Sequence, residues 1–176
     1  MASTLKINNI DTASGSTITI PTGKQLIVTD KGGIRVPDAV IQVVQNSTTV
    51  QLSQGGTSYA DTNLTASITP KYNTSKILVS VNQYFTFRTT TTSERQVWTR
   101  ILRDSTEIGA QYFNRIASTS SDHRHGGFFA QQLLDNPATT SSITYKTQSK
   151  LNNSSADAYF QHDNSRSTIT LMEIAQ

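Results

Sequence analysis

At 176 residues, with 35% hydrophobic residues, 15% charged residues and a formal net charge of +3, the chain suits one ordinary domain with an appended segment. The absence of cysteine excludes disulfide scaffolds, thiolate zinc sites and thiol chemistry. Lys and Arg are scattered rather than gathered in a stripe, which argues against a nucleic-acid partner, and no stretch approaches the roughly 20 apolar residues of a membrane span, so no membrane insertion is expected.

The first 37 residues differ from the rest. Short strands are expected at residues 5–10, 17–20, 25–29 and 34–36, punctuated by the turn sequences "ASGS", "PTGK" and "DKGG". Each carries only two or three apolar side chains: Leu5, Ile7 and Ile10, then Ile18 and Ile20, Leu26 and Val28, Ile34 and Val36. No aromatic residue precedes Tyr59. A scrap of two or three strands of this size is marginal in water. Residues 1–37, closed by Pro37, are therefore expected to be a β-rich arm whose nine apolar residues are buried against a partner.

From Val40 the strands lengthen. "AVIQVVQ" is a compact apolar run. "TSKILVSVNQYFTFRT" is the longest strand signal, with Ile77, Val79, Val81, Phe85 and Phe87 on one face. In "ERQVWTRILRD", Val97 and Ile101 share one face and Trp98 and Leu102 the other. "DSTEIG" reads as a hairpin turn, and "HGGFFAQQLLD", "SSITYKTQS", "ADAYFQ" and "STITLMEIAQ" follow as strands. About eight strands with regular turn signals predict an all-β fold, a jelly roll or sandwich over residues 38–176. The last strand is apolar on both faces, through Ile169 and Leu171 and through Met172 and Ile174. It should lie inside a sheet or at a subunit contact, with Met172 a candidate interface residue.

Chemistry-bearing residues are few. "DHRHGG" offers Asp122, His123 and His125, but no third ligand stands at a recognisable spacing. The plainer reading is a polar loop before a strand that starts at Gly127, and no metal or other cofactor is expected. No G-x-S-x-G elbow occurs, and His162 is the one further base. Asp30, Asp38, Asp61, Asp104, Asp122, Asp135 and Asp163 read as turn formers rather than as a paired acid and base. Glu173, in the last strand, is expected to pair with an Arg or Lys. No enzyme is expected. Trp98 is the single tryptophan. Together with Arg95 and Arg100 it suits either a core or subunit interface or a sugar-stacking platform.

The opening "STLKINNIDTASGSTITIPTGKQLIV" resembles the N-terminal segments of structural proteins of tailed bacteriophages, especially marine and cyanobacterial ones. "SITPKYNTSKILVSVNQYF", "LLDNPATTSSITYKTQSK" and "STITLMEIAQ" resemble the C-terminal β-domain of phage fibre and appendage proteins. The resemblance implies a homotrimeric jelly-roll module, similar in plan to C1q- and tumour-necrosis-factor-like trimers. It would be carried on a virion assembled in the bacterial host cytoplasm, as a tail fibre knob or a capsid decoration. Its partners would be capsid or tail proteins, gripped by the arm, and a glycan of the host surface. The family carries no catalytic motif. The competing reading is a monomeric, lectin-like β-sandwich that binds glycans.

Overall fold

The computed structural model describes residues 19–29, 36–89, 94–109, 111–116, 123–154 and 156–176. Period-two alternation of apolar and polar side chains builds its strands. They are β1 (Val40–Thr48), β2 (Leu52–Gln54), β3 (Ala60–Ile68), β4 (Lys76–Thr89), β5 (Arg95–Arg103), β6 (Thr106–Glu107), β7 (Tyr112–Ile116), β8 (His123–Asp135), β9 (Ile143–Leu151), β10 (Ala156–Phe160) and β11 (Ser167–Ile174). No described helix is long and apolar enough to cross a membrane.

Eight of these strands carry the fold. β1 pairs with β11, β3 with β9, β4 with β8 and β5 with β7, all antiparallel. They form one long ribbon that turns back between β5 and β7. Successive pairs fall in alternate sheets, so sheet A runs β1–β11–β4–β8 and sheet B runs β3–β9–β5–β7. That strand order defines an antiparallel jelly roll, as the spacing of strands and turns predicted. The short strands are additions to it. β10 takes over from β11 along the far half of β4, where Phe160 faces Phe85 and Ala156 faces Thr89, and β2 extends the sheet beyond β10. β6 closes the "DSTEIG" hairpin against the end of β5.

The inward row of β4 organises the core. Ile77, Val79 and Val81 pack with Ile169, Leu171 and Phe129 of sheet A and with Leu64, Ile68, Ile101, Ile143 and Tyr145 of sheet B. Phe85 and Phe87 pack separately with Val97, Leu151, Ala158 and Phe160. Gln83 lies between the two clusters and is fully buried. Its amide donates to the Thr62 carbonyl at 3.2 Å and to Thr62 Oγ1 at 2.9 Å, and Thr62 Oγ1 donates to the Thr147 carbonyl at 3.1 Å. A polar layer thus crosses the sandwich, with its buried groups satisfied.

β11 lies between β1 and β4, where its two apolar faces place it. Glu173 departs from expectation: its carboxylate is fully buried and its partners are not cationic side chains. It accepts the Lys71 backbone N–H at 2.7 Å, the Tyr72 N–H at 3.3 Å and the Gln42 amide, which pins the loop between β3 and β4. Asp61 and Asp135 also depart from their expected turns. Both lie in strands and both meet a cation: Lys146 Nζ, from the paired strand β9, stands 3.0 Å from Asp61, and Arg103 Nη1, from the opposite sheet, donates to both Asp135 oxygens at 2.8 Å. The sandwich takes in the chain at Asp38, whose N–H donates to the Ala175 carbonyl at 2.8 Å.

Before that point no strand is found among the described residues. Residues 19–29 hold no strand, and Val36 is in none. The turn chemistry is read correctly, with Lys24 N–H donating to the Pro21 carbonyl at 3.0 Å across Gly23, whose φ of +79° suits the third position of a type II turn. Without a neighbouring strand to receive their backbone groups, the flanking residues form no ladder. The strand expected at 5–10, and residues 17–18 and 34–35 of two others, lie outside the described residues.

Candidate functional site

The two outer faces of the sandwich have different chemistry. On sheet A the register aligns Val43, Met172, Leu78 and Leu134 in one row across β1, β11, β4 and β8. At strand spacings of about 4.8 Å the row is about 14 Å long. Val43 and Leu134 are 56% and 53% exposed. The next row, Gln45, Thr170, Ser80 and Gln132, is uncharged and bonded within itself: Gln45 Nε2 donates to Thr170 Oγ1 at 2.9 Å and Gln132 Nε2 to Ser80 Oγ at 3.1 Å. Beyond it come Ser47, Thr168, Asn82 and Ala130, then the edge-to-face pair Tyr84 and Phe128, with ring centroids 5.2 Å apart. The residues of four consecutive rows are therefore uncharged, and Arg166 reaches the third of them, its Nη1 donating to Ser47 Oγ at 3.1 Å. Within the described ladders β8 pairs only with β4, so the far edge of this 13-residue strand borders the face. An uncharged apolar face beside an open strand edge marks a contact surface.

Sheet B presents charge instead. Arg100 lies 3.9 Å over the Tyr59 ring, and Lys150 Nζ lies 4.7 Å from the Tyr59 centroid and 5.8 Å from that of Trp98. Arg100 Nη1 pairs with Glu107 at 2.8 Å, while its Nε and Nη2 donate to Gln148 Oε1 at 3.1 and 2.7 Å. Gln148 Nε2 in turn donates to Asp61 at 2.7 Å. Burial raises the Tyr59 phenol above its usual range; the Arg100 charge opposes this and the Glu107 charge adds to it. Trp98 is half-buried. The aromatic faces of this platform are occupied by the protein's own cations, so a sugar would have to displace Arg100 to stack on Tyr59.

The sequence-selected residues thus separate. Met172 falls in the sheet A row, while Trp98 and Arg100 fall together on sheet B. The residues that complete each group were missed: Val43, Leu78 and Leu134 on one face, Tyr59 and Lys150 on the other. Their signal is register, which joins residues far apart in sequence. His123 and His125 lie in β8, opposite Thr89 and Phe87, and are exposed. The strand starts at His123 and not at Gly127 because its backbone pairs with β4 along its whole length. Asp122 lies outside the described residues, among which no group of three or more His, Cys, Asp or Glu could hold a metal. Of the arm residues, Ile20, Leu26, Val28 and Val36 are exposed, Leu26 at 64%. Leu5, Ile7, Ile10, Ile18 and Ile34 lie outside the described residues.

No protein-family model matches the sequence, and no curated protein matches it. Solved structures similar to it include three particles of infectious bursal disease virus. These are the T13 viral particle (15% identity, TM-score 0.38, covering 86% of this chain and 40% of that one), the VP2 subviral particle (14%, 0.38, 86% and 42%) and the Gx strain (14%, 0.40, 86% and 41%). The chain spans about two-fifths of the length of those chains. At this similarity they carry no argument about role, and the jelly-roll assignment stands on strand order.

Proposed function

We propose that the chain is a non-enzymatic structural protein of a bacteriophage virion. Its jelly roll assembles as a homotrimer through the outer face of sheet A, and its first 37 residues attach the trimer to a capsid or tail protein. The observation that carries the assembly is the contrast between the two faces. Sheet B is covered by paired charges, whereas sheet A offers the row Val43, Met172, Leu78 and Leu134 inside four uncharged rows. A second copy suits such a face, because its rows hold no charged residue that a partner must match and the nearby Arg166 is bonded to Ser47. The phage role and the trimeric state are supported by the resemblance of the opening segment and of the three C-terminal stretches to phage appendage proteins. The four arm residues that the structure describes are exposed, consistent with a docking role.

The test is electron cryo-microscopy of purified particles. A three-fold knob of this size on the tail or capsid is expected, joined to the particle by density leading to Asp38. Particles whose proteins, identified by mass spectrometry, do not include this chain would overturn the reading.

A monomeric glycan-binding module remains the second reading, favoured by the Trp98 and Tyr59 rings that Lys150 approaches together. It is the weaker one, because Arg100 covers the Tyr59 face.

A further inference from the structure

At the far end of sheet A, about 33 Å along β4 from Leu78, lies a cavity of about 220 Å³ lined by Thr86, Arg88, Arg124, Tyr159 and His162. Arg88 and Arg124 are direct register partners on neighbouring strands. Asp157 stands in register on the other side of Arg88, with its carboxylate against Gly55. Arg124 lies on the edge strand, where its paired neighbour is Arg88.

The other wall is built under constraint. His162 follows β10 in a segment where Gln161, Asp163 and Asn164 all have positive φ, of 53°, 53° and 58°. Asp and Asn tolerate that region, but Gln does so at a cost. Such conformations persist where the surroundings over-determine them. Here Gln161 is fully buried, its N–H donates to the Tyr84 carbonyl at 3.1 Å, and its amide donates to Ser167 Oγ at 3.0 Å. Ser167 Oγ also accepts the Tyr84 N–H at 3.1 Å. The anchored turn sets His162 against Tyr159, with ring centroids 5.6 Å apart, and Asp163 pairs with His162 Nδ1 at 3.1 Å on the solvent side. Gly126 lies in β8 two residues beyond Arg124, opposite Thr86, where a Cβ would approach Tyr84 Oη to 2.8 Å. Glycine inside a strand marks a place where something approaches closely, and here the Tyr84 phenol occupies that space beside the cavity.

We infer that this cavity binds an acidic monosaccharide unit, a carboxylate-bearing sugar. The guanidiniums of Arg88 and Arg124 take the carboxylate, and Tyr159 and His162 flank the ring. Two planar donor forks match a carboxylate's geometry. A tyrosine ring gives a sugar an apolar wall with a polar rim, and the volume suits one pyranose and little more. The site goes beyond the structural role proposed above and does not depend on it: it starts at the row next to Tyr84 and Phe128, but its binding can be tested on the isolated chain.

The test is a titration of the full chain with sodium glucuronate, glucose and inorganic phosphate, followed by amide NMR shifts. Glucuronate is expected to bind in the millimolar range, with shifts confined to the strands around Thr86, Gly126 and Tyr159. Glucose should give no saturable shift, and phosphate should bind at least about threefold more weakly than glucuronate. Arg124→Gln should weaken glucuronate at least tenfold with the remaining spectrum unchanged. Tyr159→Leu should weaken glucuronate but not phosphate, which serves as a second reading if Arg124→Gln alters the fold. Absence of saturable glucuronate binding, equal binding of glucose, or wild-type affinity in both variants would overturn the proposal. Phosphate binding as tight as glucuronate would reduce the site to a bare anion site and overturn the saccharide assignment.

Discussion

Replacing Gln83 by Met tests whether the polar layer inside the sandwich is a structural requirement. The two side chains have similar length and shape, so the change removes hydrogen bonds and leaves little cavity. What is lost is the pair of donations from the Gln83 amide to the Thr62 carbonyl and Thr62 Oγ1. Thr62 Oγ1 keeps Thr147 as a partner, but the buried Thr62 carbonyl is left without its side-chain donor. Stranding one buried backbone group of this kind costs about 1–3 kcal/mol. In a domain of this length each kcal/mol moves the thermal midpoint by about 2–4 °C, so a cost of about 2 kcal/mol lowers it by about 6 °C. Scanning calorimetry and urea unfolding on the same samples should agree on the loss, with an unchanged urea slope. Adding Thr62→Val should not recover it, because the Thr62 carbonyl stays without its side-chain donor and the Thr147 carbonyl loses Thr62 Oγ1 as well. A Gln83→Met protein as stable as the parent, or more so, would refute the reasoning. It would mean that the two apolar clusters on either side are already one continuous core.

A chain beginning at Asp38 should stay soluble, β-rich and self-associated while failing to join particles, and Ile18→Ser with Ile20→Ser in the full chain should weaken incorporation with the melting temperature unchanged; an unfolded truncated chain, seen by circular dichroism, would place the arm in the core. His123→Ala with His125→Ala should change stability by no more than about 0.5 kcal/mol, as usual for exposed positions, and elemental analysis of the parent should find no bound metal; stability lost on chelation would contradict this. The Asp61 carboxyl is held below its usual range: burial works to raise it, but the hydrogen bonds from Gln148 and Lys146 and the Lys146 charge outweigh that. Its contribution to stability should therefore be present above the ordinary carboxylate pKa of about 3.9 and be lost as pH falls through the lower folded value. The difference in urea midpoint between parent and Asp61→Asn should accordingly be measurable at pH 6, small because the group is half-exposed, and shrink as pH falls below the ordinary carboxylate range; a gap that does not change with pH would refute it.

The jelly roll was legible because its principal strands alternate cleanly. The inward parity of Ile77, Val79, Val81, Phe85 and Phe87, and the two-sided strand ending at Ile174, give strand type and position without any partner. Pairing was not legible. Thr48 meets Ser167, and Met172 meets both Val43 and Leu78, through register that no local pattern encodes. Acidic residues misled for a similar reason: Asp61 and Asp135 read as turn formers until Lys146 of the paired strand and Arg103 of the opposite sheet are in place. The sequence placed the start of this strand at Gly127 after a polar loop, whereas Gly126 and Gly127 each make room for an aromatic ring of β4, Tyr84 and Phe85, and the strand extends back to His123. In the arm, turn residues marked the turn from Pro21 to Lys24, but turn chemistry does not supply the neighbouring strand that a ladder needs.

The most direct test of self-assembly through sheet A is the solution mass of the full chain by sedimentation equilibrium, at micromolar concentration and neutral pH. The account predicts three times the chain mass of 19.3 kDa, and a folded monomer for the double variant Leu134→Asp with Met172→Asp, which sets charge into the apolar row without entering the core. A parent protein sedimenting as a single chain, or a double variant that keeps the parent's mass, would contradict it.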